Sequence, residues 1–263
     1  MKNIYLILVV ISAVLLISCA GEDKLKVDKI PPVSPILIPH LGDTGDLPVI
    51  YENQTISLND ENNGIDTVPD GDWIRILWQP FLDTDLSHVK VYRFNEFQTT
   101  PVLVDSIPSS NRYYLDSSAA LNYETVYSYF IDLVDSSGNT ARSDTVAYAI
   151  LSKPQLISPD QNASVTPADI AFRWARSGFA SKYRAVVFDA NYEYVWHQDL
   201  VVSFEEDQMS ILFPVNLAQQ YAGQSLTWRI DSFEWNNTLQ NYMGAESFER
   251  SMHIVQQRKT GKQ

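Results

Sequence analysis

Apolar side chains recur at every second position through most of the chain, which is the period of a half-buried β-strand. Segments with this alternation lie at residues 74–78, 89–93, 127–133, 170–174, 183–187 and 226–230. Their polar neighbours, among them Arg184, Arg229 and Asp231, belong to the opposite face of each strand. After residue 20 no stretch has the period of a four-turn helix, and residues 218–221 form one turn at most. The pattern predicts an all-β sandwich or barrel.

The two halves of the chain repeat this pattern at a spacing of about 100 residues, whereas solenoid repeats span about 20–45 residues. Each half begins with proline and a short apolar strand, at 34–38 and at 154–157. A strand ending in tryptophan follows, at Trp78 in the first half and at Trp174 in the second. The repeat therefore predicts two β-sandwich domains in tandem.

Residues 121–139, LNYETVYSYFIDLVDSSGN, combine a leucine, a short turn, a threonine, a tyrosine and an alternating strand that ends in an Asp-x-x-Gly-Asn turn. With these features, residues 31–150 resemble a fibronectin type III domain. The resemblance implies that Tyr127 begins strand F and that its hydroxyl caps the backbone near the E–F turn. It also implies that Trp78 is the core tryptophan of strand B.

Residues 154–256 resemble the same immunoglobulin-like superfamily less closely. A leucine, a glycine turn and an aromatic strand recur in this half, with Trp228 in place of the corner tyrosine. The resemblance places Trp174 and Trp228 in the core of a second fibronectin-like or generic immunoglobulin-like sandwich. Residues 257–263 are expected to form a flexible tail.

An insertion at residues 40–72 separates strands A and B of the first domain, where the family needs few residues. Segments 47–51 and 55–58 could form an extra hairpin. Residues 59–70 carry oxygen-bearing side chains around a glycine, as calcium loops do. No predicted helix flanks them, and Pro69 interrupts the pattern. We therefore favour a solvated turn over a calcium loop.

The N-terminus has a hydrophobic run at 4–17 followed by Ser18 and Cys19, the only cysteine in the chain. This arrangement resembles a bacterial lipoprotein signal. The resemblance implies that residues 1–18 are removed, that Cys19 is acylated, and that 19–30 form a tether. An uncleaved anchor helix is the alternative, although the run is short for a membrane span. The expected location is the bacterial cell envelope, at the outer membrane, with the membrane face left open.

Charge and motif content exclude several classes of function. The formal net charge is −13, which disfavours nucleic acid as a partner because phosphate binding needs a basic surface. The four histidines lack zinc spacing, and no nucleophile elbow, phosphate loop or His-Glu-x-x-His motif occurs. Glu205 and Glu206 are adjacent, so in a strand they would face opposite sides. Asp83 and Asp85 suit a turn better than a metal pair. These features predict no enzyme, no cofactor and no metal site.

Aromatic and amide side chains are the best candidates for ligand binding. Trp235, Asn236 and Tyr242 fall in the predicted F–G loop of the second domain, and exposed rings beside amides suit sugars or proteins. Packing of these rings on the sheet is the alternative. We expect a lipid-anchored binding or adhesion module that recognises a protein or glycan. The alternatives are a structural spacer or assembly subunit of an envelope complex, and an accessory to a polysaccharide-degrading system.

Overall fold

The computed structural model describes residues 28–58, 71–203 and 205–256. Four regions named from the sequence lie wholly or mainly outside these residues: the signal segment with Cys19, residues 19–27 of the tether, the calcium-like loop 59–70, and the tail 257–263.

The first domain contains two antiparallel sheets that form its sandwich, and a separate two-stranded hairpin made of the strands numbered β2 and β3 below. Its strands are β1 (Leu37–Ile38), β2 (Val49–Tyr51), β3 (Gln54–Ile56), β4 (Ile74–Trp78), β5 (Leu86–Asn95), β6 (Val102–Pro108), β7 (Tyr113–Asp116), β8 (Tyr127–Asp135), β9 (Thr140–Arg142) and β10 (Val146–Tyr148). One sheet has the order β1-β4-β7, and the other has the order β10-β8-β5-β6 with β9 beside β8. These orders are strands A-B-E and G-F-C-C′ of an immunoglobulin-like sandwich.

The second sandwich repeats the arrangement. Its elements are β11 (Gln155–Ser158), β12 (Ala163–Val165), β13 (Ala171–Ala175), β14 (Lys182–Phe188), β15 (Tyr194–Val201), β16 (Gln208–Leu212), α1 (Val215–Gln220), β17 (Ser225–Asn236), β18 (Asn241–Glu246) and β19 (Arg250–Ile254). The sheets are β11-β13-β16 and β12-β19-β17-β14-β15, with β18 beside β17. Strand β12 pairs in parallel with β19. The prediction of an all-β chain with tandem sandwiches is confirmed.

Each core is built from the alternating apolar positions. In the first sandwich Ile74, Ile76 and Trp78 are buried against Val89 and Val91. In the second sandwich the inward residues of β13, β14 and β17 form the core, namely Phe172, Trp174, Tyr183, Ala185, Val187, Leu226, Trp228 and Ile230. Burial of these side chains supplies the hydrophobic stabilisation of each unit.

Tyr127 begins β8 with its ring buried in the first core. Its hydroxyl donates to the Ala120 carbonyl and accepts from the Asn122 backbone N–H, both at 2.9 Å. This is the tyrosine corner that the resemblance implies. In the second sandwich Trp228 is fully buried, and its Nε1 has no hydrogen-bond partner among the described residues.

The two sandwiches share backbone and apolar contacts where β10 leads towards β11. Ile150 forms a parallel bridge with Gly244 of β18, and the Leu151 N–H donates to the Gly244 carbonyl at 2.8 Å. Leu151 is fully buried within the second core. The segment that connects the two sandwiches is therefore held in place by packing and hydrogen bonds. Within the described residues, no helix is long and apolar enough to cross a membrane.

Candidate functional site

The insertion between β1 and β4 begins with residues 40–46, which we call the docking segment. It lies on the outer face of the β12-β19-β17-β14-β15 sheet of the second sandwich, where Arg184 and Arg229 contact Asp43 and Thr44. The insertion continues into the hairpin of β2 and β3, so the extra hairpin expected from the sequence is present. A loop of one domain thus covers the sheet of the other.

A row of charged side chains crosses the sheet beneath the docking segment. Neighbouring strands align Asp199, Arg184, Asp231 and Glu246, on β15, β14, β17 and β18 respectively. The Arg184 Nε donates to Asp199 Oδ1 at 2.6 Å, and its Nη2 lies 2.9 Å from Asp46 Oδ1. Its Nη1 donates to the Thr44 carbonyl at 3.0 Å. Arg184 therefore ties the docking segment to the sheet.

Arg229 is fully buried beside this row. Its Nε donates to Asp231 Oδ1 at 2.9 Å, and its Nη2 donates to Glu246 Oε1 at 3.0 Å. The same Nη2 donates to the Thr44 hydroxyl at 3.1 Å. The alternation of β14 and β17 predicted that Arg184, Arg229 and Asp231 lie opposite the core. They do, but the docking segment covers that face, so all three are buried.

Asp43 projects from the docking segment into the same cluster and is 2% exposed. Its nearest cation is Arg184, whose Nη1 lies 3.6 Å from Asp43 Oδ2. Burial raises the pKa of the Asp43 carboxyl well above its usual value, and the charge of Asp231 raises it further. Arg184 and Arg229 oppose that rise. The interface thus holds a carboxyl group that is poorly stabilised as an anion.

Gly45 brings the docking segment into close contact with the sheet. Its φ is +97°, and an added Cβ would overlap the His197 ring, with Cγ only 2.8 Å away. The His197 Nδ1 also lies 2.6 Å from the Tyr194 hydroxyl on β15. Only glycine combines this backbone angle with so close an approach.

His40 starts the docking segment and packs edge-on against Tyr148, with ring centroids 4.4 Å apart. Burial lowers the pKa of His40 from 6.5 to about 4. Between these values the unfolded chain binds a proton that the folded chain excludes, so stability falls as pH decreases from 6.5 towards 4.

At pH 5.5 we expect protonation of unfolded His40 to lower the free energy of unfolding by about 1 kcal/mol relative to pH 7.5. His40→Phe keeps a ring on Tyr148 and removes the titrating group. Urea unfolding of both proteins at both pH values measures the difference. An equal pH dependence in the wild type and His40→Phe would contradict this assignment.

The predicted ligand residues Trp235, Asn236 and Tyr242 lie in strands rather than in a loop. The pairing of β17 and β18 continues to Asn236 and Asn241, so the prediction of an F–G loop at these positions is wrong. Trp235 and Tyr242 face each other across the hairpin, 45% and 37% exposed. Their rings are perpendicular, with centroids 5.3 Å apart.

A pocket of about 240 Å³ lies between this hairpin and the docking segment. Tyr242, Asn241 and Lys182 line it on the sheet side, and Asp43 and Asp46 line it on the other side. The Lys182 Nζ lies over the Tyr242 ring, 5.4 Å from its centroid, and 3.0 Å from Asp199 Oδ2. Aromatic, amide and charged groups therefore meet at one exposed corner of the second sandwich.

The remaining candidates do not join this corner. Asp85 approaches Asp28 and Asp135 at the far end of the first sandwich, and Asp28 and Asp85 are exposed. Glu205 and Glu206 lie in the exposed turn before β16. The buried cluster of Asp43, Asp231 and Glu246 was missed from the sequence, because nothing in the spacing links position 43 to positions 231 and 246.

Comparison with known proteins adds two structural likenesses. No protein-family model matches the chain, and neither does any curated protein. The FN1-FN3 domains of chicken CNTN1 are 14% identical over 77% of this chain and 70% of that one, with a TM-score of 0.29. The chicken interferon gamma receptor alpha chain is 14% identical over 69% and 91%, with a TM-score of 0.27. Both scores are low, so the fold assignment rests on the strand order.

Proposed function

We propose that the protein is a non-catalytic, lipid-anchored module of the bacterial cell envelope that holds a binding surface on a rigid pair of β-sandwiches. The observation that carries this proposal is the burial of Arg184 and Arg229 under the docking segment. Separation of the two units would expose this ion network and break the contacts of Thr44, so a fixed arrangement is favoured. A fixed pair of sandwiches suits presentation of a surface away from the membrane.

The binding surface that we propose is the hairpin of β17 and β18. Exposed aromatic rings supply contact area at low entropic cost, and Trp235 and Tyr242 are such rings. Because the two rings are perpendicular, a sugar can stack on one of them at a time, whereas a protein side chain can fill the angle between them. The partner is accordingly a protein or a glycan that contributes one small group to this corner.

A role in assembly is the second candidate. Strand β6 is at the edge of its sheet and exposes Val102 and Leu103, and Phe97 is exposed just before it. An apolar sheet edge of this kind can pair with a strand of another protein.

Trp235→Ala should weaken binding to the partner by about tenfold or more, since aromatic anchors dominate binding energy. The measurement is the affinity of the purified chain for glycan and protein fractions of the envelope. Phe97→Ala removes a ring that is even more exposed, at a distant position, and serves as the control. Equal binding by wild type and Trp235→Ala would rule out the hairpin as the site, and loss with Phe97→Ala alone would favour β6.

Cys19→Ala should move the protein from the membrane fraction to the soluble fraction of the cell, because the lipid-bearing thiol is lost. Blotting of both fractions tests this. Unchanged membrane attachment would contradict lipid anchoring at Cys19 without bearing on the hairpin.

A further inference from the structure

Four exposed apolar side chains lie at one end of the first sandwich. Ile30, Val33, Ile36 and Leu82 are 76%, 55%, 41% and 80% exposed. The last three surround one surface pocket of about 150 Å³, which two prolines and Phe81 also line. Ile30 lies three residues before Val33 on the same segment. We call these four side chains the end patch.

The end patch is held in place by the loop between β4 and β5. Phe81 in this loop stacks on the core residue Trp78, with ring centroids 6.1 Å apart. The Val33 N–H donates to Asp83 Oδ2 of the same loop at 2.9 Å. Apolar surface that is exposed and fixed in this way is typical of a site that a partner covers.

The end patch lies where the chain enters the first sandwich. Asn139, in the turn between β8 and β9, donates from Nδ2 to the Asp28 carbonyl at 3.1 Å. The same turn is joined to the loop that bears Leu82, because the Ser136 N–H donates to the Asp85 carbonyl at 2.8 Å. Asp28, the first residue that the structure describes, is therefore a neighbour of the end patch.

The length of chain before Asp28 indicates which partner can reach the end patch. Nine residue steps separate Asp28 from Cys19, the expected site of the lipid. An extended chain spans at most about 3.6 Å per residue, so the two residues are at most about 32 Å apart. A lipid on Cys19 therefore keeps the end patch near the bilayer at a high effective concentration.

Charge at this end indicates which lipid headgroups fit. The two segments that form the end patch carry three acids, Asp28, Asp83 and Asp85, and one cation, Lys29. Anionic headgroups would be repelled by this excess of negative charge, whereas zwitterionic headgroups would not. A zwitterionic bilayer surface is therefore the better match.

We propose that the end patch rests on the bilayer that holds the lipid anchor, with Leu82 and Val33 inserted at its surface and zwitterionic lipids preferred. This inference rests on the proposed lipid anchor at Cys19 and adds an orientation to it. From Asn139 the chain runs through β9 and β10 along β8, away from the end patch and into the second sandwich. The second sandwich would thus point away from the bilayer.

A fluorescent probe at position 82 of the lipidated full chain tests this orientation. Cys19 is the only natural cysteine and acylation consumes its thiol, so Leu82→Cys can be labelled alone with nitrobenzoxadiazole. Leu212→Cys, on β16 of the second sandwich and 69% exposed, is the matched control. In phosphatidylcholine vesicles with nitroxide-labelled acyl chains, we expect at least twofold quenching at position 82 and none at position 212.

A second substitution separates apolar contact from the short tether. Val33→Asp, added to the labelled Leu82→Cys chain, should remove the quenching, whereas Val201→Asp on β15 should not, although Val201 is 79% exposed. Replacing phosphatidylcholine by phosphatidylglycerol should at least halve the quenching. Unchanged quenching with Val33→Asp would overturn the role of the end patch.

Flotation of the same vesicles separates the orientation from the anchor. Protein that floats with the vesicles, but shows equal quenching at positions 82 and 212, would overturn the orientation and leave the lipid anchor intact. Protein that does not float would overturn the anchor and the orientation with it.

Discussion

Arg229→Met should lower the free energy of unfolding by about 3–5 kcal/mol, because removing one partner of a buried ion network leaves the others uncompensated. Arg229 is fully buried and donates to Asp231, Glu246 and Thr44. Methionine fills similar space but brings neither charge nor donors. The folded chain leaves no solvent exposure at the Arg229 side chain. Urea unfolding followed by tryptophan fluorescence measures the loss.

Arg173→Met is the matched control for this experiment. Arg173 lies on β13 in the other sheet of the same sandwich, with its side chain exposed. Its replacement should change the free energy of unfolding by less than about 0.5 kcal/mol. If Arg229→Met were equally mild, the carboxylates around it would not depend on the guanidinium, and the ion network could not be what holds the docking segment.

Gly45→Ala should destabilise the protein by about 2–6 kcal/mol, which combines backbone strain with overpacking. The φ of +97° is unfavourable for any residue with a Cβ, and that Cβ would overlap the His197 ring. His197 cannot move away freely because its Nδ1 lies 2.6 Å from the Tyr194 hydroxyl. We therefore expect the docking segment to lift from the sheet, which thermal unfolding and small-angle scattering would detect.

Gly138→Ala is the control that separates backbone strain from overpacking. Gly138 has a φ of +87°, but an added Cβ meets no atom within 4 Å. Its replacement should therefore show strain alone, about 1–2 kcal/mol, and leave the scattering profile unchanged. Equal effects of Gly45→Ala and Gly138→Ala would mean that contact with His197 does not hold the docking segment in place.

The elements of the fold follow from local patterns in the sequence. Alternation at 127–133 and 226–230 predicts the strands that form the centre of each large sheet, and the inward residues are those found in the cores. The corner at Tyr127 depends on a turn only a few residues away, so a short motif is enough to predict it. The wrong prediction of a loop at Trp235 and Tyr242 also came from a local pattern. Asparagine-rich residues suggested a loop, yet strand pairing continues through them.

The candidate sites, unlike the strands, could not be predicted from local patterns, because their residues are far apart in the chain. The sequence by itself determined the strand pattern, the two-sandwich plan and which face of each strand is polar. Only the tertiary structure decided that the polar face bearing Arg184, Arg229 and Asp231 is buried, because the cover comes from residues 40–46 of the other domain. Alternation reports the two faces of one strand and carries no information about what a distant segment places on them. The buried carboxylate cluster therefore exists only in the folded chain.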